Sequence, residues 1–269
     1  MPMSGAKLIT TEKEIDRMLL QPLHDKLTAL RLSGFLQGLE EQTASTHYAD
    51  LTFEERLGML VDREWLRRQN ARLTREIRSA RFQQNAFMED LDLTAARGLD
   101  RRVVLEFAQC EWIRHHLNMI VLGPTGAGKT FLACALGQAA CRQGITVRYL
   151  RASRLLQDLA HAHADGSYPK LLNSLAKISL LIIDDWLRDP ISPSQARDLL
   201  EIIDDRYGHA STIVATQIPV AEWHQNIPDS TIADAILDRL LHNAHRLELT
   251  GESQRKKRSP LAQNDHSEV

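Results

Sequence analysis

The run Gly123-Pro124-Thr125-Gly126-Ala127-Gly128-Lys129-Thr130 constrains this chain more than any other feature. It satisfies G-x-x-x-x-G-K-[ST], and its flanks have the required character: residues 118–122 read as a buried strand and 131–142 as a helix. Glycines let the backbone fold around an anion so that successive N–H groups point inward, and the positive end of the following helix adds to the field. Gly123 to Gly128 would form the cradle, the Lys129 ammonium would reach the two outer phosphates of ATP, and the Thr130 hydroxyl would coordinate Mg²⁺.

A second element belongs to the same sheet. Leu180-Leu-Ile-Ile-Asp184-Asp185 is a buried-strand sequence ending in two carboxylates. Ligands of parallel sheets sit at the carboxyl ends of the strands, which puts both acids beside the phosphate loop. Asp184 suits the Mg²⁺ shell and Asp185 suits polarising the attacking water. A fourth strand ends in Thr216-Gln217, where Gln217 either reaches between the carboxylates and the last phosphate or serves as a turn residue before Pro219. Arg239 reads as one exposed arginine on an apolar helix.

Around these motifs, apolar runs at 118–122, 146–150, 180–183, 212–215 and 245–249 alternate with amphipathic helices. This predicts an α/β core with a five-stranded parallel sheet covered on both faces. The chain from Ile15 to Phe87 has helical periodicity instead. Pro22, Ser33-Gly34 and residues 43–50 should break it, and Thr52-Phe-Glu-Glu55 is a capping box opening a long helix. Residues 101–112 read as one further helix, and Gly98 as the boundary between an all-helical domain (1–97) and a nucleotide-binding domain (98–254). Residues 255–269, with Lys256-Lys257-Arg258 and Pro260, read as a frayed polar tail.

Between Arg63 and Arg81 stand seven arginines (Arg63, Arg67, Arg68, Arg72, Arg75, Arg78, Arg81) and only two acids, Glu64 and Glu76. On a helical wheel the arginines fill one half, and Trp65, Leu66, Leu73, Ile77 and Ala80 the other, so one face is expected to be basic and the other core-forming. Such a stripe can follow DNA phosphates without reading sequence. The competing reading is a solvated face or one that pairs with acids on another subunit.

Other classes fit less well. A bilayer-spanning helix needs about 18 to 20 apolar residues in a row, and no stretch approaches that. The charged amino terminus holds no apolar signal core, so a cytoplasmic protein without membrane partners is expected. Cys110, Cys134 and Cys141 make no C-x-x-C pair; Cys134 and Cys141 share a helix face and should be buried. His115-His116 and His161-x-His163 lack metal-ligand spacing.

Taken with Leu30-Arg-Leu-Ser33, Glu54-Glu-Arg-Leu57, Arg78-Ser-Ala-Arg-Phe82, Leu181-Ile-Ile-Asp-Asp-Trp186, Arg206-Tyr207, Ile236-Leu-Asp-Arg-Leu240 and Gly251-Glu-Ser-Gln-Arg255, the chain resembles the IstB-like family over most of its length. These are transposition helper ATPases of insertion sequences, AAA+ proteins close to the DnaC helicase loaders. The resemblance implies an ATPase that assembles as a homo-oligomer on double-stranded DNA, largely independent of sequence, and recruits or stimulates a transposase. It also implies that Arg239 is an arginine finger supplied to the neighbouring subunit and Arg255 a second sensor facing the subunit's own phosphates. Beyond Lys129 and Arg255, no cation of the chain's own is expected at the phosphates. Two departures stand out: Asp185 where AAA+ proteins usually carry Glu, and Thr216-Gln217 where an Asn is common. The residues after Thr250 are too few for a helical lid. A replicative helicase loader, a small-molecule P-loop kinase and a nucleotide-gated scaffold that hardly hydrolyses ATP are the other readings. The kinase would need an acceptor pocket and usually a lid, which the sequence does not offer.

Overall fold

The computed structural model describes residues 12–92 and 98–251, with side chains from residue 21 onward. The chain forms two compact units, dividing between Arg72 and Leu73.

The first unit consists of α1 (Glu12–Ala29), α2 (Ser33–Ala44) and the amino-terminal part of α3 (Phe53–Ala80). Pro22 does not break α1, which runs through it and forgoes one backbone hydrogen bond. The break comes at Arg31, whose φ of 56° turns the chain before α2. The capping box is formed: Thr52 N–H donates to Glu55 Oε2 (2.8 Å), and Glu55 N–H to Thr52 Oγ1 (3.2 Å). α2 lies close on α3 because it presents glycines there. A Cβ on Gly38 would stand 2.7 Å from Leu60 Cδ2, and one on Gly34 2.9 Å from Glu64 Oε2.

Glu64 organises this contact. Its buried carboxylate accepts from the Gly34 and Phe35 N–H groups (2.8 and 3.3 Å), capping α2, and from Arg67 and Arg68, each at 2.7 Å. The Arg67 guanidinium above all, joined by Arg68 and the two amides, outweighs desolvation and holds the Glu64 pKa at about 2. Because the folded pKa lies below the unfolded one, the stabilisation is present above the ordinary carboxylate range and is lost as pH falls through that range towards 2. Glu64→Gln should therefore destabilise this unit at pH 7 by about 1 to 3 kcal/mol. The gap between parent and variant melting curves should close between about pH 5 and pH 2, and a pH-independent gap would remove the charge from the explanation.

The half of α3 facing α2 is thus the one that carries Leu60, Glu64 and the aliphatic stems of Arg63 and Arg67. The expectation that Trp65 and Leu66 line the core is corrected: they are 59% and 52% exposed. A carboxylate satisfying two helix-end amides has turned the face of Leu60 and Glu64 inward at this point, with Arg67 and Arg68 exposed at its edge.

From Leu73 onward the apolar face is buried as expected. Leu73, Ile77 and Ala80, followed by Phe82, Ala86, Met88 and Leu91, pack into the core of the second unit. Phe82 lies so close to Gly137 that a Cβ there would meet its ring at 2.6 Å. This burial puts the division at Leu73 rather than at Gly98. The expected tail and the absence of a lid fall on residues outside those described.

The second unit is built on a parallel sheet in the order β2-β3-β4-β1-β5. Its strands are β1 (Asn118–Leu122), β2 (Val147–Arg151), β3 (Leu180–Asp184), β4 (Ser211–Thr216) and β5 (Ala244–Glu248), each within a residue of its expected bounds. Alternation divides every central strand between two cores. Met119, Val121, Ile182, Ile213 and Ala215 join the layer formed by the end of α3, α4 (Arg101–Ala108), α5 (Glu111–Arg114) and α6 (Lys129–Arg142). Ile120, Leu181, Ile183 and Val214 join α7 (Ala152–Asp165), α8 (Tyr168–Ala176), α9 (Pro193–Arg206), α10 (Trp223–Asn226) and α11 (Ser230–Leu241). The single helix expected over 101–112 is two, because Cys110 takes a left-handed φ of 60°.

The three cysteines are buried, which pushes the Cys110 and Cys134 thiols up to about 11 and Cys141 to about 12. Arg206, 2% exposed, ties α9 to the sheet through the Leu175, Ile178 and Ser211 carbonyls and the Thr212 hydroxyl. Burial lowers its pKa to about 10. His163 pairs with Asp198 (2.9 Å) and stacks on Tyr168, and no metal-binding group is found among the described residues. Among those residues no helix is long and apolar enough to cross a membrane.

Candidate nucleotide site

Parallel strands all end on one side, so the loops after β1, β3 and β4 meet there. They line a cleft of about 380 Å³ that contains Thr125, Gly126, Gly128, Lys129, Thr130, Asp184, Asp185, Arg188 and Gln217. Gly123, Gly126 and Gly128 take φ values of 149°, 84° and 96°, conformations that disfavour side chains. A Cβ on Gly123 would also stand 2.6 Å from the Leu249 carbonyl oxygen. Pro124 and Thr125 lie towards the loop's tip and Ala127 is buried beneath it. The Lys129 ammonium lies against the carbonyl oxygens of Gly123 (2.8 Å) and Pro124 (2.9 Å).

Asp184 is 2% exposed and fully engaged. Its Oδ1 accepts from the Asp185 N–H (3.0 Å), and its Oδ2 from the Thr130 hydroxyl (2.6 Å) and the Tyr149 hydroxyl (2.7 Å). A buried carboxylate with a threonine hydroxyl beside it is a hard oxygen set, and it fits Mg²⁺ held together with phosphate oxygens and water. Tyr149 also contacts the Gln83 side chain, and burial with Asp184 alongside raises its pKa.

Asp185 begins a constrained turn. It and Leu187 have φ values of 56° and 49°, while the fully buried Trp186 between them donates its N–H to the Ala215 carbonyl (3.0 Å) and accepts from the Thr216 hydroxyl (2.8 Å). Thr216 is thereby turned inward, and Gln217 faces the loop, accepting from the Thr125 hydroxyl at 2.5 Å. Asp185 Oδ2 stands 3.7 Å from Arg188 Nη1.

The other residues expected at the site lie elsewhere. Arg239 is not freely exposed: its side chain is 31% accessible, pairs with Asp204 of α9 and donates to the Ala235 carbonyl (3.0 Å). Arg255 lies outside the described residues. Arg63 pairs with Glu41 of α2, and Arg67 and Arg68 pair with Glu64, so the basic stripe is partly neutralised within the chain. Arg72, Arg75, Arg78 and Arg81 are exposed.

Tyr149, Gln83 and Arg188 carry no local motif that marks them in the sequence. Tyr149 sits two residues before the end of β2, and a hydroxyl near a strand's carboxyl end is a usable signal. Arg188 corrects the expectation that, apart from Lys129 and Arg255, the cleft lacks a cation of its own.

The family described as IstB-like ATP binding protein matches residues 25–262 of this chain. A putative insertion sequence ATP-binding protein of Sinorhizobium fredii, y4pL, is 44% identical over 239 residues, 89% of this chain and 98% of the relative. The crystal structure of DnaI superposes with a TM-score of 0.54 at 19% identity, covering 62% of this chain and 92% of that one. The DnaC helicase loader does so with 0.50 at 20% identity, covering 55% and 87%. At such identities the likeness is one of fold, a P-loop AAA+ core.

Proposed function

Because the chain belongs to the IstB-like ATP-binding proteins, we propose that it is a Mg²⁺-dependent ATPase which assembles with copies of itself on double-stranded DNA in the cytoplasm and recruits or stimulates a transposase. The observation that carries the ATPase reading is the convergence of Lys129, Thr130, Asp184 and Asp185 on one cleft from the ends of β1 and β3. In this reading residues 123–130 hold the phosphates, and Thr130 and Asp184 hold Mg²⁺, which neutralises charge on the phosphates. Asp185 orients the attacking water, and Gln217, tied to Thr125, senses the outermost phosphate. The transposase and DNA rest on the relatives, which are named as insertion-sequence proteins.

The ATPase rate of the purified protein, with and without duplex DNA, tests the whole. A DNA-stimulated, Mg²⁺-dependent rate is expected. No hydrolysis under either condition would leave a nucleotide-gated scaffold, and a rate raised by a small-molecule acceptor rather than DNA would favour a kinase.

The DNA contact itself is assigned to the carboxyl-terminal part of the arginine face, since Arg63, Arg67 and Arg68 are engaged with carboxylates. Replacing Arg75, Arg78 and Arg81 by Gln should weaken binding to unrelated duplexes about equally. It should also flatten the slope of log affinity against log salt by about 2 to 3, one increment for each phosphate no longer neutralised. An unchanged slope would return these arginines to a solvated face.

A further inference from the structure

We propose that Arg188 is the cation which this chain itself brings to the outermost phosphate of its bound nucleotide, resting on Asp189 and beside Asp185 until that phosphate arrives. The assignment rests on the nucleotide reading above and deepens it by separating ATP from ADP.

The base of Arg188 is fixed. Trp186 and Leu187, which precede it, are 0% and 3% exposed. Trp186 is bonded to Ala215 and Thr216 of β4, and the Leu187 carbonyl accepts from Asn226 Nδ2 at 3.0 Å. The two left-handed residues, Asp185 and Leu187, allow the turn to bury Trp186 while sending Asp185 and Arg188 to the same cleft. Backbone strain of this kind persists where surrounding contacts over-determine it.

The head of Arg188, in contrast, is loosely held. Its Nη1 is 3.7 Å from Asp185 Oδ2, beyond hydrogen-bond length, and its Nε and Nη2 lie 3.2 and 3.1 Å from Asp189 on the rim. The side chain is 49% exposed, and exposed pairs of this type are weak. A phosphate offers the guanidinium fork two oxygens in matching geometry, a stronger partner than either carboxylate as placed.

The charge of the cleft calls for such a group. Its described lining carries four carboxylates, Asp90, Asp92, Asp184 and Asp185, and its cationic side chains are Lys129 and Arg188. A triphosphate adds further negative charge beside those acids. Moving Arg188 from Asp189 and the vicinity of Asp185 to the last phosphate compensates that charge and also leaves the Asp185 carboxylate facing water. ADP, which ends one phosphate short, gains much less from Arg188.

The test is equilibrium binding of a non-hydrolysable ATP analogue and of ADP, each with Mg²⁺, to the full chain. Arg188→Ala should weaken the ATP analogue by about 10- to 100-fold, the scale of one charge-assisted hydrogen bond. ADP should change less than about threefold, and Arg188→Lys should recover part of the deficit. The same weakening should appear when Arg188→Ala is made on top of Asp185→Asn, because the arginine acts on the nucleotide and not only on Asp185. Equal weakening of both nucleotides, no change in either, or an effect that vanishes in the Asp185→Asn background would each overturn the role of Arg188. A parent protein that binds neither nucleotide would overturn the site reading itself, a different result from a parent that binds both.

Discussion

Lys129→Ala should bind Mg·ATP at least about a hundredfold more weakly than the parent and show no measurable hydrolysis, while its melting temperature stays within a few degrees. The lysine is expected to make charge-assisted contacts to two phosphates, each contributing about 1.5 to 3 kcal/mol, which together amount to a factor of roughly 10² to 10⁴ in affinity. The fold depends on it far less. Its ammonium donates to the Gly123 and Pro124 carbonyls, and Pro124 lies towards the tip of the loop, where water can replace the ammonium. Fluorescent-nucleotide titration and a phosphate-release assay would measure both effects. Hydrolysis at the parental rate would show the site to be misassigned. Asp185→Asn should separate the two steps, binding ATP but turning it over more slowly, since the shape is kept and the charge that orients water is removed.

Arg239→Ala should bind ATP nearly normally yet lose about 10³-fold or more in turnover, the scale of an arginine finger supplied by a neighbouring subunit. Its placement sets a condition on that role. Arg239 is paired with Asp204 on α9, so it must release that partner or use the remaining edge of its guanidinium. The pair is partly exposed and correspondingly weak, so release is inexpensive. Asp204→Ala then distinguishes a finger from a structural brace. If the pair only braces α11 on α9, Asp204→Ala should be as damaging as Arg239→Ala; if Arg239 acts on the neighbour's nucleotide, Asp204→Ala should keep most of the rate. Mixing Arg239→Ala with Lys129→Ala should restore part of the activity, because an intact phosphate loop can then face an intact finger. Two variants that co-assemble and stay inactive at every ratio would reject action in trans. The roles of the two arginines differ: Arg188 is assigned to binding the outermost phosphate within the chain, and Arg239 to the rate of its transfer to water.

The phosphate loop, the paired acids and the succession of strands along the chain were legible because they are written in local signals. Glycines at 123, 126 and 128 are needed for backbone conformations that side chains disfavour, and an apolar run ending in Asp184-Asp185 needs only the general rule that parallel strands present their carboxyl ends together. The capping box at Thr52 was legible for the same reason, its two hydrogen bonds spanning three residues. Non-local pairing escaped the sequence. Glu64 counted as one acid among arginines, but folding carries it to the Gly34 and Phe35 amides, where its own face of α3 is buried and Trp65 is left exposed. Leu73 to Leu91 looked like more of the helical region, and only packing against the sheet's helices joins it to the second unit. Tyr149 reaches Asp184 because β2 lies beside β3, an adjacency that periodicity does not encode. Spacing along one element depends on φ, ψ and side-chain pitch, which neighbouring residues set; which carboxylate meets which arginine depends on contacts between segments far apart in sequence, and these exist only once the chain has folded.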